Sequence, residues 1–155
     1  MLTLGEMRKT HAQAGRIDWI GLRSERYADV DVVGSAVLTE AGFEGDHSRK
    51  GKRAVTLIQA EHLPVIAALA GKDHISPETL RRNLVVSELN LLAIRQGLLR
   101  VGETMLELHG PCPPCSRMEK TIGAGAYNAM RGHGGWYASA VTAGVVRVGD
   151  AVVAG

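Results

Sequence analysis

The run Tyr137-Ala-Ser-Ala-Val-Thr142, then Ala143-Gly144, then Val145-Val-Arg-Val148, Gly149-Asp150 and Ala151-Val-Val153 decides the class of fold. Short valine-rich segments alternate here with two-residue breaks built on glycine. Each segment is too short for a stable helix and has the β-branched content of a strand. The same grammar runs backwards through the chain. Leu98–Val101 and Thr104–Leu108 flank Gly102-Glu103, a tight-turn pair. Ala54-Val55-Thr56-Leu57-Ile58 is the clearest buried strand, and Asn83–Val86, Ala36–Leu38, Val30–Val33 and Ile17-x-Trp19-Ile20 add shorter ones. The nineteen glycines are spread along the whole chain, as many turns require.

Helical periods are few. Leu2, Leu4 and Met7 give a weak one that ends near Gly15. Leu63, Val65, Ile66 and Leu69 give a clearer one that stops at Gly71, with Pro64 tolerated because it falls in the first turn. Ser76-Pro77-Glu78 starts another, and Ser116–Lys120 and Ala124–Met130 read as short helices. The expected fold is therefore mainly β (α+β), a compact barrel-like sheet with a few short inserted helices, rather than a parallel α/β sheet.

Composition narrows the function classes. The chain of 155 residues is 45% apolar and 22% charged, which suits one globular domain spanning 1–155. A net charge of +2 and six aromatic residues argue against a nucleic-acid partner. No apolar run approaches the roughly 18 residues of a membrane span. Glu6, Arg8 and Lys9 interrupt what would be a signal-peptide core, so the expected location is cytoplasmic, with Cys112 and Cys115 as free thiols.

Those cysteines stand in Gly110-Pro-Cys-Pro-Pro-Cys-Ser-Arg117. A C-x-x-C pair reads as zinc ligation, dithiol redox chemistry, a reactive thiolate with a companion, or two cysteines in a stiff proline turn. Zinc would require His109 and His133 to complete four ligands, without a second C-x-x-C to help. Thioredoxin-like chemistry would require a βαβ setting that is missing. Arg117 favours the thiolate of Cys115, a soft metal ligand or sulfur carrier. A second constellation, Gly45-Asp46-His47-Ser48-Arg49-Lys50-Gly51-Lys52-Arg53, reads as a solvated loop or as an anion site. Arg81-Arg82-Asn83 carries a smaller version of the same signal, and the two basic clusters would meet on one anionic ligand.

In order, Gly45-Asp46, Arg53-x-Val-Thr-Leu-Ile, Arg81-x-Asn83-Leu84, Gly102-Glu103, Pro114-Cys115, Gly134-Gly135 and Gly149-Asp150 resemble the MOSC domain, found at the C-terminus of molybdenum-cofactor sulfurases and as stand-alone proteins. The resemblance runs from about Ile17 to Val153. It implies a compact β-barrel with Cys115 as the hallmark thiol, a molybdenum ligand in amidoxime-reducing relatives and a sulfur acceptor in the sulfurases. It also implies that Arg81, Asn83, Arg49, Lys52, Arg53 and Arg117 bind molybdopterin, with Asp46, His47 or His133 assisting proton delivery beside Cys115. Two activities follow as expectations. One is reduction of small N-hydroxylated substrates, fed by a separate electron-donor protein. The other is carriage of molybdopterin or of a persulfide sulfur received from a sulfur-donor protein. No lysine site for pyridoxal phosphate is identified.

Overall fold

The computed structural model describes residues 1–155. Its strands in chain order are β1 (Gly15–Arg23), β2 (Val30–Val33), β3 (Ser35–Thr39), β4 (Gly42–Phe43), β5 (Val55–Gln59), β6 (Leu84–Ser87), β7 (Leu98–Val101), β8 (Thr104–Pro111), β9 (Trp136–Thr142), β10 (Gly144–Arg147) and β11 (Ala151–Ala154). The helices are α1 (Leu4–Arg8), α2 (His62–Leu69), α3 (Pro77–Leu80), α4 (Leu91–Ile94), α5 (Ser116–Ile122) and α6 (Ala126–Met130).

Seven strands close into a barrel in the order β11-β7-β8-β9-β5-β6-β1, and β1 returns to β11 through Gly15↔Val152 and Arg16↔Ala151. The mainly β expectation therefore holds. β2 hangs on the outer side of β1, and β10-β3-β4 form a small separate sheet. Strand alternation places side chains as a period of two requires. Along β8, Thr104, Leu106, Leu108 and Gly110 are buried while the residues between them are not. β5 and β6 break that rule, being buried almost throughout. Leu57, Leu84 and Val86 fill the barrel, while Ile58 and Val85 face outward into a second cluster with Ile66, Leu80, Met118, Ile122 and Met130. A strand covered on both faces needs apolar residues on both. That second cluster fastens α2, α3, α5 and α6 to one wall of the barrel.

The details depart from the sequence expectations in four places. The first helix is confined to α1, held by a capping box in which Thr3 and Glu6 exchange hydrogen bonds, and no helix continues towards Gly15. α4 was not expected, though Asn90 caps it by accepting from the Leu92 N–H at 3.2 Å. Val145–Val148 contributes to the small sheet rather than to the barrel. Finally, β5 and β6 run parallel, joined by a crossover that carries α2 and α3.

Candidate functional site

The two cysteines sit where β8 leaves the barrel. Pro111 is paired with Trp136, and the Cys112 N–H extends the ladder one step by donating to the Gly135 carbonyl at 2.8 Å. Pro113 and Pro114 have no N–H to continue it. The chain therefore departs extended, with Cys115 at φ −133° and ψ 159°, and α5 begins at Ser116. Gly135 makes this junction tight. Its φ is +92°, and a Cβ there would lie 2.0 Å from the Leu57 carbonyl oxygen of β5. Cys112 is half-buried and Cys115 is exposed.

Three guanidinium groups face Cys112. Arg82 is fixed by donating from Nε to the Gly134 carbonyl and from Nη1 to the Leu80 carbonyl, both at 2.8 Å. Arg53 lies 4.3 Å above the Tyr137 ring. Arg23 is the third. Burial pushes the Cys112 thiol up, against the opposing pull of Arg82, Arg53 and Arg23. The charges of Arg23 and Arg117 bear in turn on Arg81, and burial together with these neighbours presses its guanidinium towards the neutral form.

Asp46 holds one of them. Its side chain has no solvent exposure and that of Arg23 is 15% exposed. Oδ1 accepts from the Arg23 main-chain N–H at 2.7 Å, Arg23 Nε at 3.2 Å and Asn83 Nδ2 at 3.1 Å. Oδ2 accepts from Arg23 Nη2 and the Ser48 N–H, both at 3.1 Å. Burial alone raises the carboxyl pKa, but the Arg23 guanidinium and N–H, with Ser48, more than offset it and hold the group below its ordinary range. Five donors and no exposure make Asp46 a positioning residue, which corrects the expectation that it delivers protons. Asn83 is corrected in the same way. It is fully buried, its Oδ1 accepts from the Thr56 N–H at 3.0 Å, and its Nδ2 donates to Gly21 and Asp46, leaving no amide edge for a ligand.

His47 is exposed and differently placed. Its Nδ1 lies 2.9 Å from the Arg23 carbonyl and can only donate to it, so in the neutral ring Nε2 is the acceptor. Arg49 and Lys52 line a groove built only from residues 47–53, so the two basic clusters meet through Arg53 alone of the three. The zinc reading is overturned by the histidines. His109 Nε2 lies 2.8 Å from Ser139 Oγ, and His133 packs edge-to-face on His62 with ring centroids 5.3 Å apart. No three His, Cys, Asp or Glu side chains converge anywhere.

Arg81 and Arg117 face a separate open groove of about 380 Å³ with Thr79, Thr121, Glu78 and Asp29 on its walls. Arg81 has a left-handed backbone, φ +58°, at the end of α3, which swings its side chain across to residues 25–28. Sequence reasoning overlooked Arg23 and passed over Arg82. Nothing marks Arg23 in the sequence, because a lone arginine at a strand end is ordinary. Arg82 was visible only as the middle of Arg81-Arg82-Asn83.

A family model for the MOSC domain matches residues 44–153 of the chain. Among solved structures, the chain is similar to the YUAD protein from Bacillus subtilis, at 17% identity over 90% of this chain and 94% of that one, with a TM-score of 0.79. It is similar also to YiiM from Escherichia coli (22% identity, 90% and 69% covered, TM-score 0.69) and to YiiM from Geobacillus stearothermophilus (16%, 91% and 75%, 0.73). At these identities the likeness speaks for the fold. No curated protein sequence matches the chain.

Proposed function

The chain belongs to the MOSC domain family, and from that premise we propose that it binds a molybdenum cofactor through Cys115 and reduces small N-hydroxylated compounds. One observation carries the reading: the exposed Cys115 thiol stands on the same proline turn as Cys112, on which the charges of Arg82, Arg53 and Arg23 act, and the one buried carboxylate among them, Asp46, is already spent on Arg23. The donor set fits the cofactor. With no cluster of three protein ligands, a metal here has to bring ligands of its own, and a dithiolene-bearing pterin does so. A thiolate is a soft ligand suited to molybdenum, and guanidiniums match phosphate oxygens in charge and geometry.

When bound, the cofactor supplies two-electron redox chemistry and an acceptor for the oxygen of the N–O bond. The rest falls to this chain's residues. Arg53, Arg81 and Arg117 bind anionic groups, while Arg82 and Asp46 fix the turn and Arg23. His47 Nε2 takes up and returns a proton, with Nδ1–H anchored on the Arg23 carbonyl. Reduction of R–NHOH to R–NH₂ and water consumes two electrons and two protons, so a separate electron-donor protein belongs to the reaction. No helix is long and apolar enough to cross a membrane.

The exposure of Cys115 favours a second reading, a sulfur carrier with a persulfide on that thiol. Elemental analysis separates the two. Protein from a host that makes molybdenum cofactor is expected to hold near-stoichiometric molybdenum that Cys115→Ser loses, together with hydroxylamine reduction. Metal-free protein carrying sulfane sulfur on Cys115 would establish the carrier instead.

A further inference from the structure

Residues 24–29 join β1 to β2 and lie against Arg81 and Arg117. Arg81 donates from Nη1 to the Ala28 carbonyl, and from Nη2 to the Glu25 and Arg26 carbonyls, each at 3.2 Å. Arg117 reaches over from α5 and donates from Nη1 to the same Arg26 carbonyl at 2.8 Å. It also lies 5.4 Å from the Tyr27 ring centroid, as does Arg26. Tyr27 itself is 76% exposed, so it is gripped by cations rather than by a core.

These contacts are unequal to the charges they occupy. Two neighbouring guanidiniums spend their donors on neutral carbonyls, and neither forms a salt bridge. Burial, Arg117 and Arg23 all press the Arg81 guanidinium towards its neutral form, with Asp46 and Asp29 opposing. Hydrogen bonds in which both partners are ionised are stronger than those to neutral acceptors, and a forked guanidinium suits a phosphoryl group. Releasing residues 24–29 also restores their backbone freedom. Glu78 and Asp29 on the groove walls confine an anion to the Arg81–Arg117 side.

We propose that residues 24–29 are a strap closing the Arg81–Arg117 anion site, and that a multiply charged phosphoryl group opens it by taking the guanidinium donors from the strap's carbonyls. The inference rests on the anion-binding role given to these arginines above and adds a gate to it. The strap weakens the apparent affinity of the site by the fraction of chains in which it stands open.

Inorganic pyrophosphate is the probe. Arg23 and Val30 are directly paired, so an Asn-Gly turn can replace residues 24–29 and keep the hairpin register. Calorimetry on this variant is expected to give a Kd about five- to tenfold tighter than wild type. The double variant Glu25→Gln, Asp29→Asn in the full chain serves as control for the two lost carboxylates. In the full chain, pyrophosphate is expected to speed tryptic cleavage after Arg26 several-fold, and Arg81→Ala to make that cleavage fast without it. A shortened variant that binds no tighter than that double variant, a cleavage rate indifferent to pyrophosphate, or no binding to either protein overturns the strap. Molybdenum content is read separately. Metal-loaded protein whose strap ignores pyrophosphate would leave the proposed function standing, and a responsive strap on protein that never takes up molybdenum would do the reverse.

Discussion

The loop from His47 to Lys52 and the arginines around Cys112 carry similar charge in opposite settings. The loop is dense in sequence and dispersed in space. Arg49 and Lys52 are exposed, and Lys50 pairs with Glu40 at 3.2 Å with both side chains 76% exposed. The inner set is scattered in sequence, from Arg23 to Arg117, yet it is gathered by β1, the start of β6, the Arg53 side chain and α5. Solvent screens the first set, while backbone carbonyls, the Tyr137 ring and one buried carboxylate orient the second. What makes an anion site is convergence on fixed partners, and a run of basic letters does not report it.

The largest test of that contrast removes the anchor of the inner set. Asp46→Ala leaves Arg23 unpaired beside a buried amide and is expected to cost about 3–5 kcal/mol in urea unfolding. The sign of the acid response follows from the depressed carboxyl. Its contribution is complete above the unfolded carboxylate pKa of about 4 and is lost as the pH falls through the lower folded value. Asp46→Asn should flatten that acid limb. Next, Asn83→Ala strands the Thr56 N–H and the Gly21 carbonyl, for an expected loss of about 2–3 kcal/mol in the same measurement.

Smaller effects sharpen the comparison at the thiols. Iodoacetamide at neutral pH is expected to label Cys115 before Cys112 by on the order of tenfold, because Cys112 is half-buried and its thiol is pushed up. The gap should narrow as the pH rises. The smallest effect is expected on the outer loop. Arg49→Ala and Lys52→Ala should leave both melting temperature and pyrophosphate affinity unchanged within error, and a clear loss of affinity in either would erase the distinction between the two basic regions.

Much of the barrel was legible, because alternation and glycine breaks are local properties. β7, β8, β9 and β11 lie where Leu98–Val153 predicted them. The parallel pairing of β5 with β6 was not legible, since a doubly covered strand and an ordinary buried strand look alike in sequence. The site divided along the same line. The exposed Cys115 and the groove-lining Arg81 and Arg117 could be picked out as motifs. Asn83 was picked out too, but its amide turned out to serve Gly21, Thr56 and Asp46. A buried polar residue and a ligand-binding one obey the same rule of satisfied hydrogen bonds, and only the fold says whose groups satisfy them.

The pairing of Gly15 and Arg16 with Val152 and Ala151 has a consequence for the chain during synthesis. Of the barrel strands, β1 is made first and its neighbour β11 last. Until Val152 has left the ribosome, β1 keeps part of one edge without its partner, and the sheet stays an open ribbon that other chains can pair with. Joining such remote segments also bears the full entropic cost of a long loop, which slows folding. The unclosed barrel is therefore the state in which this chain is most open to pairing with its neighbours.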